Sequence, residues 1–362
     1  MKVHRLLVKD LNKHTGQIDD LHFDNELTIL TAKNGYGKTT LLKLLWYLIS
    51  PNVERAFEDI KFTYAEIETS LYSMVIYNNS ERREVVFNRK GNKTIVKLDD
   101  ESRRDEHFLT YYRSNFGLVE KINDQIRKLR EQSLYFPTFR RFEENPSEAR
   151  GIFSSVAREL DLASAKISVD GYKFISSIST IDVEGLILTK YSQLSDKALD
   201  KRAVLLQKIT DYIAQNKSAS SETTLKKIVD AINKSEIEQN ELFASWNTFN
   251  ESVIHFIPDK TIKIANSIKI GEEQHKRTVD ASHLSAGEKQ VLGFLAYNAF
   301  YQNIPIIIDE PELSLHVDWQ RNILPALLNQ NTHNQIIVAT HSPFIYARYP
   351  RNEIMLGETP NE

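Results

Sequence analysis

A strand, a glycine loop and a helix follow one another near the start of this chain, and that succession constrains the fold more than any other feature. Residues 27–31, Leu-Thr-Ile-Leu-Thr, have the apolar character of a buried strand. Residues 39–50 carry leucines at the spacing of a buried helix, which Pro51 ends. Between them lie Ala32-Lys33-Asn34-Gly35-Tyr36-Gly37-Lys38-Thr39-Thr40. A polyphosphate needs several backbone N–H groups aimed at one point, which requires glycines that tolerate unusual dihedrals and close approach. Gly35 and Gly37 supply that freedom within a cradle running from Asn34 through Tyr36 to Thr40. Lys38 would neutralise the β- and γ-phosphates of a nucleotide such as ATP, and the Thr39 hydroxyl would complete a Mg²⁺ shell. The pattern departs from GxxxxGK[ST] only at Ala32, which stands where the first glycine usually does.

Two further apolar runs end in chemistry. Residues 304–308 predict a buried strand that closes on Asp309-Glu310-Pro311-Glu312. Carboxylates at the C-terminal edge of a parallel sheet stand where ligands bind in such folds. Asp309 is placed to hold Mg²⁺, and Glu310 to orient or deprotonate an attacking water. The plain alternative for Glu310 is acidity at a helix start, which Glu312 could equally supply. Residues 335–339 predict a neighbouring strand ending at His341, which follows Asp309 by about one crossover helix and one strand. Its imidazole would reach the same edge, near the γ-phosphate. His316 and His333 lack that placement.

Leu284-Ser285-Ala286-Gly287-Glu288-Lys289-Gln290 opens a helix with Ser285 as N-cap and Glu288 as its capping-box partner. Gly287 in the first turn is a poor helix former, but it permits close approach of a phosphate.

Between these motifs the chain changes character. Residues 62–99 alternate apolar and polar side chains, with turn signals at Asn78-Asn79 and Gly91-Asn92, and predict antiparallel strands. A charged amphipathic helix is expected over 118–132. From 151 to 260 glycines are few, and Trp246, Phe249, Val253 and Phe256 recur at helical spacing. The expected organisation is an α/β core from 1–150 and 261–362, interrupted by a helical subdomain at 151–260. No heptad run is long enough to predict an extended coiled coil.

Composition narrows the function. With 46 basic against 49 acidic residues the formal net charge is −3, which excludes a strongly basic whole-chain nucleic-acid binder. The absence of cysteine excludes disulfides, thiolate metal sites and a cysteine nucleophile. No apolar run approaches the roughly 20 residues of a membrane span, and no signal-peptide core follows Met1, so a cytoplasmic protein is expected.

Residues 284–290 resemble the LSGGQ-type signature of ABC ATPases. The order P-loop, signature, acidic strand and histidine strand is similar to that superfamily across roughly 1–145 and 261–358. The resemblance implies a P-loop NTPase of ABC-ATPase type: a mixed sheet flanked by helices, an antiparallel β subdomain, and here an inserted helical subdomain. It also implies a head-to-tail dimer in which Ser285 and Gly287 of one copy contact the γ-phosphate held by Lys38 of the other. Two ATP molecules would then lie at the interface.

The wording of 309–316 and 340–343 resembles AAA15/AAA21-type ATPases of the OLD, RecF and SMC branch, as does Leu134-Tyr135-Phe136-Pro137-Thr138-Phe139-Arg140-Arg141. In that region the resemblance implies a lobe-connecting glutamine that senses Mg²⁺, for which Gln132 is the nearest candidate. Many stand-alone ATPases of this kind belong to anti-phage systems such as Septu, PARIS and some retrons. There the ATPase restrains or triggers a separately encoded effector, often a nuclease. Because the chain ends at Glu362, shortly after His341, a C-terminal nuclease is not expected and an effector would be another polypeptide. The alternatives are a RecF/SMC-like DNA-maintenance ATPase, for which Lys121, Arg127, Lys128 and Arg130 offer only a modest basic strip, and a transporter ATPase subunit. Against the latter, the stretch between Lys38 and Ser285 is far longer than such subunits usually have.

Overall fold

The structure, a computed structural model, describes residues 1–13, 16–98, 108–138, 164, 166–175, 180–215, 221–257, 261–264, 268–271, 278–280 and 284–357. By the density of its internal contacts the chain divides into two units. The first comprises Met1–Ser177, Gln302–Leu324 and His333–Glu362, and the second Ile178–Tyr301 and Pro325–Thr332.

In the first unit, β1 (Val3–Lys9), β2 (Ile18–His22), β4 (Tyr64–Thr69), β5 (Ser73–Asn78), β6 (Arg83–Arg89) and β7 (Asn92–Lys97) form an antiparallel sheet in the order β2-β1-β4-β5-β6-β7. A second sheet is parallel throughout. It contains β3 (Leu27–Thr31), β8 (Ser133–Phe136), β9 (Tyr172–Phe174), β13 (Pro305–Asp309), β14 (Gln335–Ala339) and β15 (Glu353–Met355), in the order β15-β3-β14-β13-β8-β9. Strands β3, β13 and β14 are buried at every position, as parallel strands covered on both faces are. The expected mixture of strand directions is thus divided between sheets rather than combined in one.

Helix α1 (Lys38–Ile49) is buried nearly all round and shares one apolar core with both sheets. Leu6 and Ile67 enter that core from the antiparallel sheet, Leu45 and Trp46 from α1, and Ile307 and Ile337 from the parallel sheet. Helix α2 (Val53–Asp59) follows, and α3 (Phe108–Arg127) begins earlier than its charged pattern predicts. The polar stretch 13–20 reads from sequence as a turn, yet its last three residues begin strand β2. Asp19 occupies one of its buried positions, and that inward carboxylate masks the alternation.

The second unit is dominated by α4 (Thr180–Gln215) and α5 (Ser221–Phe256), each 36 residues long, or about 54 Å at the usual rise. Lys201 pairs with Glu238 at 3.3 Å and the Tyr191 ring lies 5.0 Å from Trp246, a register that makes the two helices antiparallel. The missing heptad signal is therefore no bar to a long helical hairpin. Near its base, Trp246 and Phe249 pack on Phe300 of α6 (Ala286–Phe300). Strands β10 (Thr261–Ile264), β11 (Ile268–Gly271) and β12 (Thr278–Asp280) form a small antiparallel sheet. Helix α7 (Val317–Asn329) spans the division between units, and α8 (Pro343–Tyr346) follows β14. No helix among the described residues is long and apolar enough to cross a membrane.

Candidate functional site

The loop after β3 has the backbone its glycines suggest. Gly35 and Gly37 adopt φ of +83° and +100°, a region that L side chains rarely enter. Gly37 is the N-cap of α1 and offers no side-chain cap, so the first-turn N–H groups are left to an external acceptor. Asn34, Gly35 and Thr39 are exposed, while Lys38 is buried. The Asn12 side chain donates to Thr40 Oγ1 at 3.0 Å from outside the loop. Tyr36 anchors the loop sideways: its hydroxyl donates to Asp19 Oδ1 at 2.9 Å and accepts from Gln17 Nε2.

Strand polarity brings the other groups to this edge. Because β13 and β14 are parallel with Asp309 opposite Ala339, the residues just beyond each strand emerge side by side. Lys38 Nζ lies 3.7 Å from Glu310 Oε1 and is hydrogen-bonded to His341 Nε2, and that nitrogen is 3.4 Å from the same Glu310 oxygen. A carboxyl, a histidine and the loop lysine therefore converge. Burial is the main reason the Glu310 carboxyl is raised to about 8, with a hydrogen bond and the charge of Glu312 adding to it. Burial, then the Lys38 charge, lowers His341 below the ordinary histidine range, which favours the neutral ring. Glu310 also holds a φ of +50°, costly for a residue with a Cβ and of the kind that collects at functional sites.

Asp309 is fully buried. Its Oδ2 accepts from the Thr138 hydroxyl at 2.7 Å, and among the described residues its Oδ1 has no hydrogen-bond partner. Burial raises its carboxyl, while Thr138, Thr39 and Lys38 act in the opposite direction. An orphaned carboxylate oxygen beside the Thr39 hydroxyl fits a hard divalent cation that shares one carboxylate and one hydroxyl with phosphate oxygens. No cluster of three or more acidic or histidine ligands occurs among the described residues, so any cation here would depend on its ligand's oxygens.

The structure does not bring Gln132 to this site. Gln132 precedes β8 and packs against Gly171, whereas Asp309 ends the parallel strand β13, so the glutamine lies at the opposite sheet edge. Thr138, just past the C-terminal end of β8, takes the place beside Asp309. A second residue not singled out from sequence is Glu312. Its Oε2 accepts from the hydroxyl of Thr340, just beyond the neighbouring strand β14, at 2.8 Å. Its Oε1 accepts the backbone N–H of His341 at 2.7 Å and of Ser342 at 3.1 Å. Only the folded register of β13 against β14 reveals these partners.

Ser285 and Gly287 belong to the second unit. Ser285 is exposed and caps α6: Glu288 N donates to its hydroxyl at 3.3 Å, and Ser285 N donates to Glu288 Oε2 at 2.7 Å. Gly287 is buried. Arg140 and Arg141 lie outside the described residues.

A family model described as "AAA domain, putative AbiEii toxin, Type IV TA system" (AAA_21) matches residues 27–347. The chain is 29% identical over 154 residues to the "Retron Ec83 probable ATPase" of Escherichia coli, a match covering 36% of this chain and 28% of that protein. The match therefore spans less than a third of the relative's length. Among solved structures, the Smc head domain of Pyrococcus furiosus aligns over 98% of this chain and 93% of its own, with TM-score 0.47 and 13% identity. The SMC head domain of Thermotoga maritima aligns over 96% and 92%, with TM-score 0.44 and 14% identity.

Proposed function

The chain belongs to the AAA_21 family and is related to a retron ATPase, and from that premise we propose that it hydrolyses ATP at the loop–strand edge just described. Residues 34–40 would cradle the phosphates, with Lys38 neutralising the β- and γ-groups. Glu310 would orient and deprotonate the attacking water, and His341 would contact the γ-phosphate. Thr39 and Asp309 would hold Mg²⁺, which would supply charge neutralisation for the phosphates. The observation that carries this reading is the convergence of Lys38, Glu310 and His341 beside an Asp309 oxygen that has no hydrogen-bond partner among the described residues.

The larger proposal is that two copies close head to tail over two ATP molecules, Ser285 and Gly287 of each completing the other's site. The exposed N-cap Ser285 supports its own part in this. The ATP-dependent dimer would act as sensor or regulator of a separately encoded effector, a nuclease for preference, in a bacterial defence system. The likeness to a retron ATPase supports that setting.

The wild-type protein is expected to hydrolyse ATP only with Mg²⁺, and Lys38→Ala to lose nucleotide binding. Glu310→Gln should bind ATP normally, turn over about 100-fold more slowly and accumulate as a dimer seen by light scattering. Full turnover in Glu310→Gln would remove the assignment of the base. Co-expression with adjacent genes tests the wider role. A nuclease that co-purifies in an ATP-dependent manner supports regulation of an effector. A salt-sensitive complex of the isolated protein with duplex DNA replaces that reading with direct DNA maintenance, and an integral membrane partner replaces it with transport.

A further inference from the structure

Glu312 lies three residues beyond Asp309, and although its carboxyl shares a hydrogen bond with that of Glu310, no hydrogen bond described above joins it to Lys38 or to the Asp309 oxygens. Its carboxylate instead collects three donors from one short segment: the Thr340 hydroxyl and the consecutive N–H groups of His341 and Ser342. Two successive backbone N–H groups on a single carboxylate oxygen form a concave anion seat, and charge-assisted bonds of this kind are strong and directional. The same segment is held a second time from the helix that follows. Ser342 Oγ donates to Gln320 Oε1 at 2.6 Å, while Gln320 Nε2 donates to Leu315 O at 2.9 Å. Residues 312–320 therefore grip 340–342 at two points, and the backbone that carries the His341 ring is fixed from the acidic strand's side rather than by its own strand alone. Free of that grip, the segment would keep the bond from Thr340 N to Leu30 O at 3.1 Å, its internal bond from Ser342 N to Thr340 Oγ1 at 2.9 Å and the bond from Ile345 N to Ser342 O at 3.0 Å, none of which holds the His341 N–H.

Resting on the ATPase reading above, we propose that Glu312 is a positioning residue that seats the His341 backbone so that the imidazole meets Glu310 and Lys38 in productive geometry. The substitution series separates geometry from charge. Glutamine keeps a carbonyl oxygen that can accept both N–H groups and an amide that can donate to the Thr340 oxygen, whereas alanine keeps neither.

The test uses the full-length protein and the variants Glu312→Ala and Glu312→Gln. In the absence of nucleotide, amide hydrogen exchange at His341 and Ser342 should rise in Glu312→Ala and return towards the wild-type level in Glu312→Gln. With ATP, Glu312→Ala should lose about tenfold or more in kcat while KM changes by less than about threefold, because misplacement acts on the reacting geometry and not on phosphate binding. Glu312→Gln should recover most of the lost kcat. Unchanged exchange in Glu312→Ala overturns the seat itself, and it does so whether or not the protein is an ATPase. Raised exchange with undiminished kcat overturns the link to turnover. A kcat loss as deep in Glu312→Gln as in Glu312→Ala also overturns positioning, since charge rather than geometry would then be at work. Should Glu312→Ala fail to fold, Glu312→Gln and Gln320→Ala carry the same comparison. Failure of the ATPase reading is recognised separately, as wild-type protein that does not hydrolyse ATP.

Discussion

Gly357 sits against the ring of Tyr36, and a Cβ built there would stand 2.4 Å from Tyr36 Cε2 at a φ of +84°. Gly357→Ala therefore has to displace the ring as well as adopt a left-handed backbone, and it should cost about 1–3 kcal/mol in urea unfolding. The ring it displaces is the sideways anchor of the phosphate loop, so ATP affinity should fall with it. Tyr36→Phe isolates the hydrogen-bonding part of that anchor. Asp19 is only 6% exposed and would lose a donor, for a loss of about 1–2 kcal/mol with the ring left in place. If titration with ATP gives the same affinity for both variants as for wild type, the anchor does not stiffen the loop. Lys38, Asp309 and Glu310 are legible from sequence because each sits at a fixed offset from a strand or helix end. Tyr36, Thr138 and Glu312 owe their places to partners far along the chain, which no local pattern encodes. Gln132 shows the converse error, since nearness in sequence to the β8 region says nothing about which end of the strand a residue occupies.

At the scale of elements, Gln335 binds the two large sheets of the first unit together. It is fully buried at the start of β14 and imitates a neighbouring strand. Its Oε1 accepts from Val3 N at 2.7 Å, and its Nε2 donates to Val3 O at 2.7 Å and Asp24 O at 2.8 Å. Gln335→Leu would keep much of the volume but strand those backbone groups, at a cost of at least about 2 kcal/mol. Denaturation showing a loss below about 0.5 kcal/mol would mean that relaxation or water replaces the glutamine. The strands themselves are legible wherever burial is uniform or strictly alternating, as in β3, β13 and β14. Strand β2 is hidden because an inward position is occupied by Asp19. The helical character of the insert is legible in the spacing of Trp246, Phe249, Val253 and Phe256, but the length of the hairpin of α4 and α5 is not, because its pairing face is not written in heptads. Within that hairpin Trp246 packs on Tyr191, Phe249 and Phe300. Trp246→Ala should cost about 3–5 kcal/mol, localised by amide exchange to the second unit.

For the whole molecule, the sequence order of the motifs anticipates an α/β core whose halves are separated by helices. It does not anticipate that α6, the helix whose first turn resembles a signature, groups with the hairpin rather than with the loop after β3. Lys38 and Ser285 thus reside in different units of one chain, and the proposed dimer makes a sharp demand on them. If each site joins Lys38 of one copy to Ser285 of the other, then Lys38→Ala and Ser285→Arg should each silence a homodimer completely. A heterodimer of the two places both lesions in one site and leaves its second site intact. In an equimolar mixture with random exchange about half the dimers are heterodimers, each with one working site of two, so about a quarter of wild-type activity should return if the sites act independently. Activity that stays at the level of the parents, in a mixture shown to exchange subunits, would mean that the sites do not form between copies. Activity retained by Ser285→Arg alone would mean that the signature helix takes no part in hydrolysis.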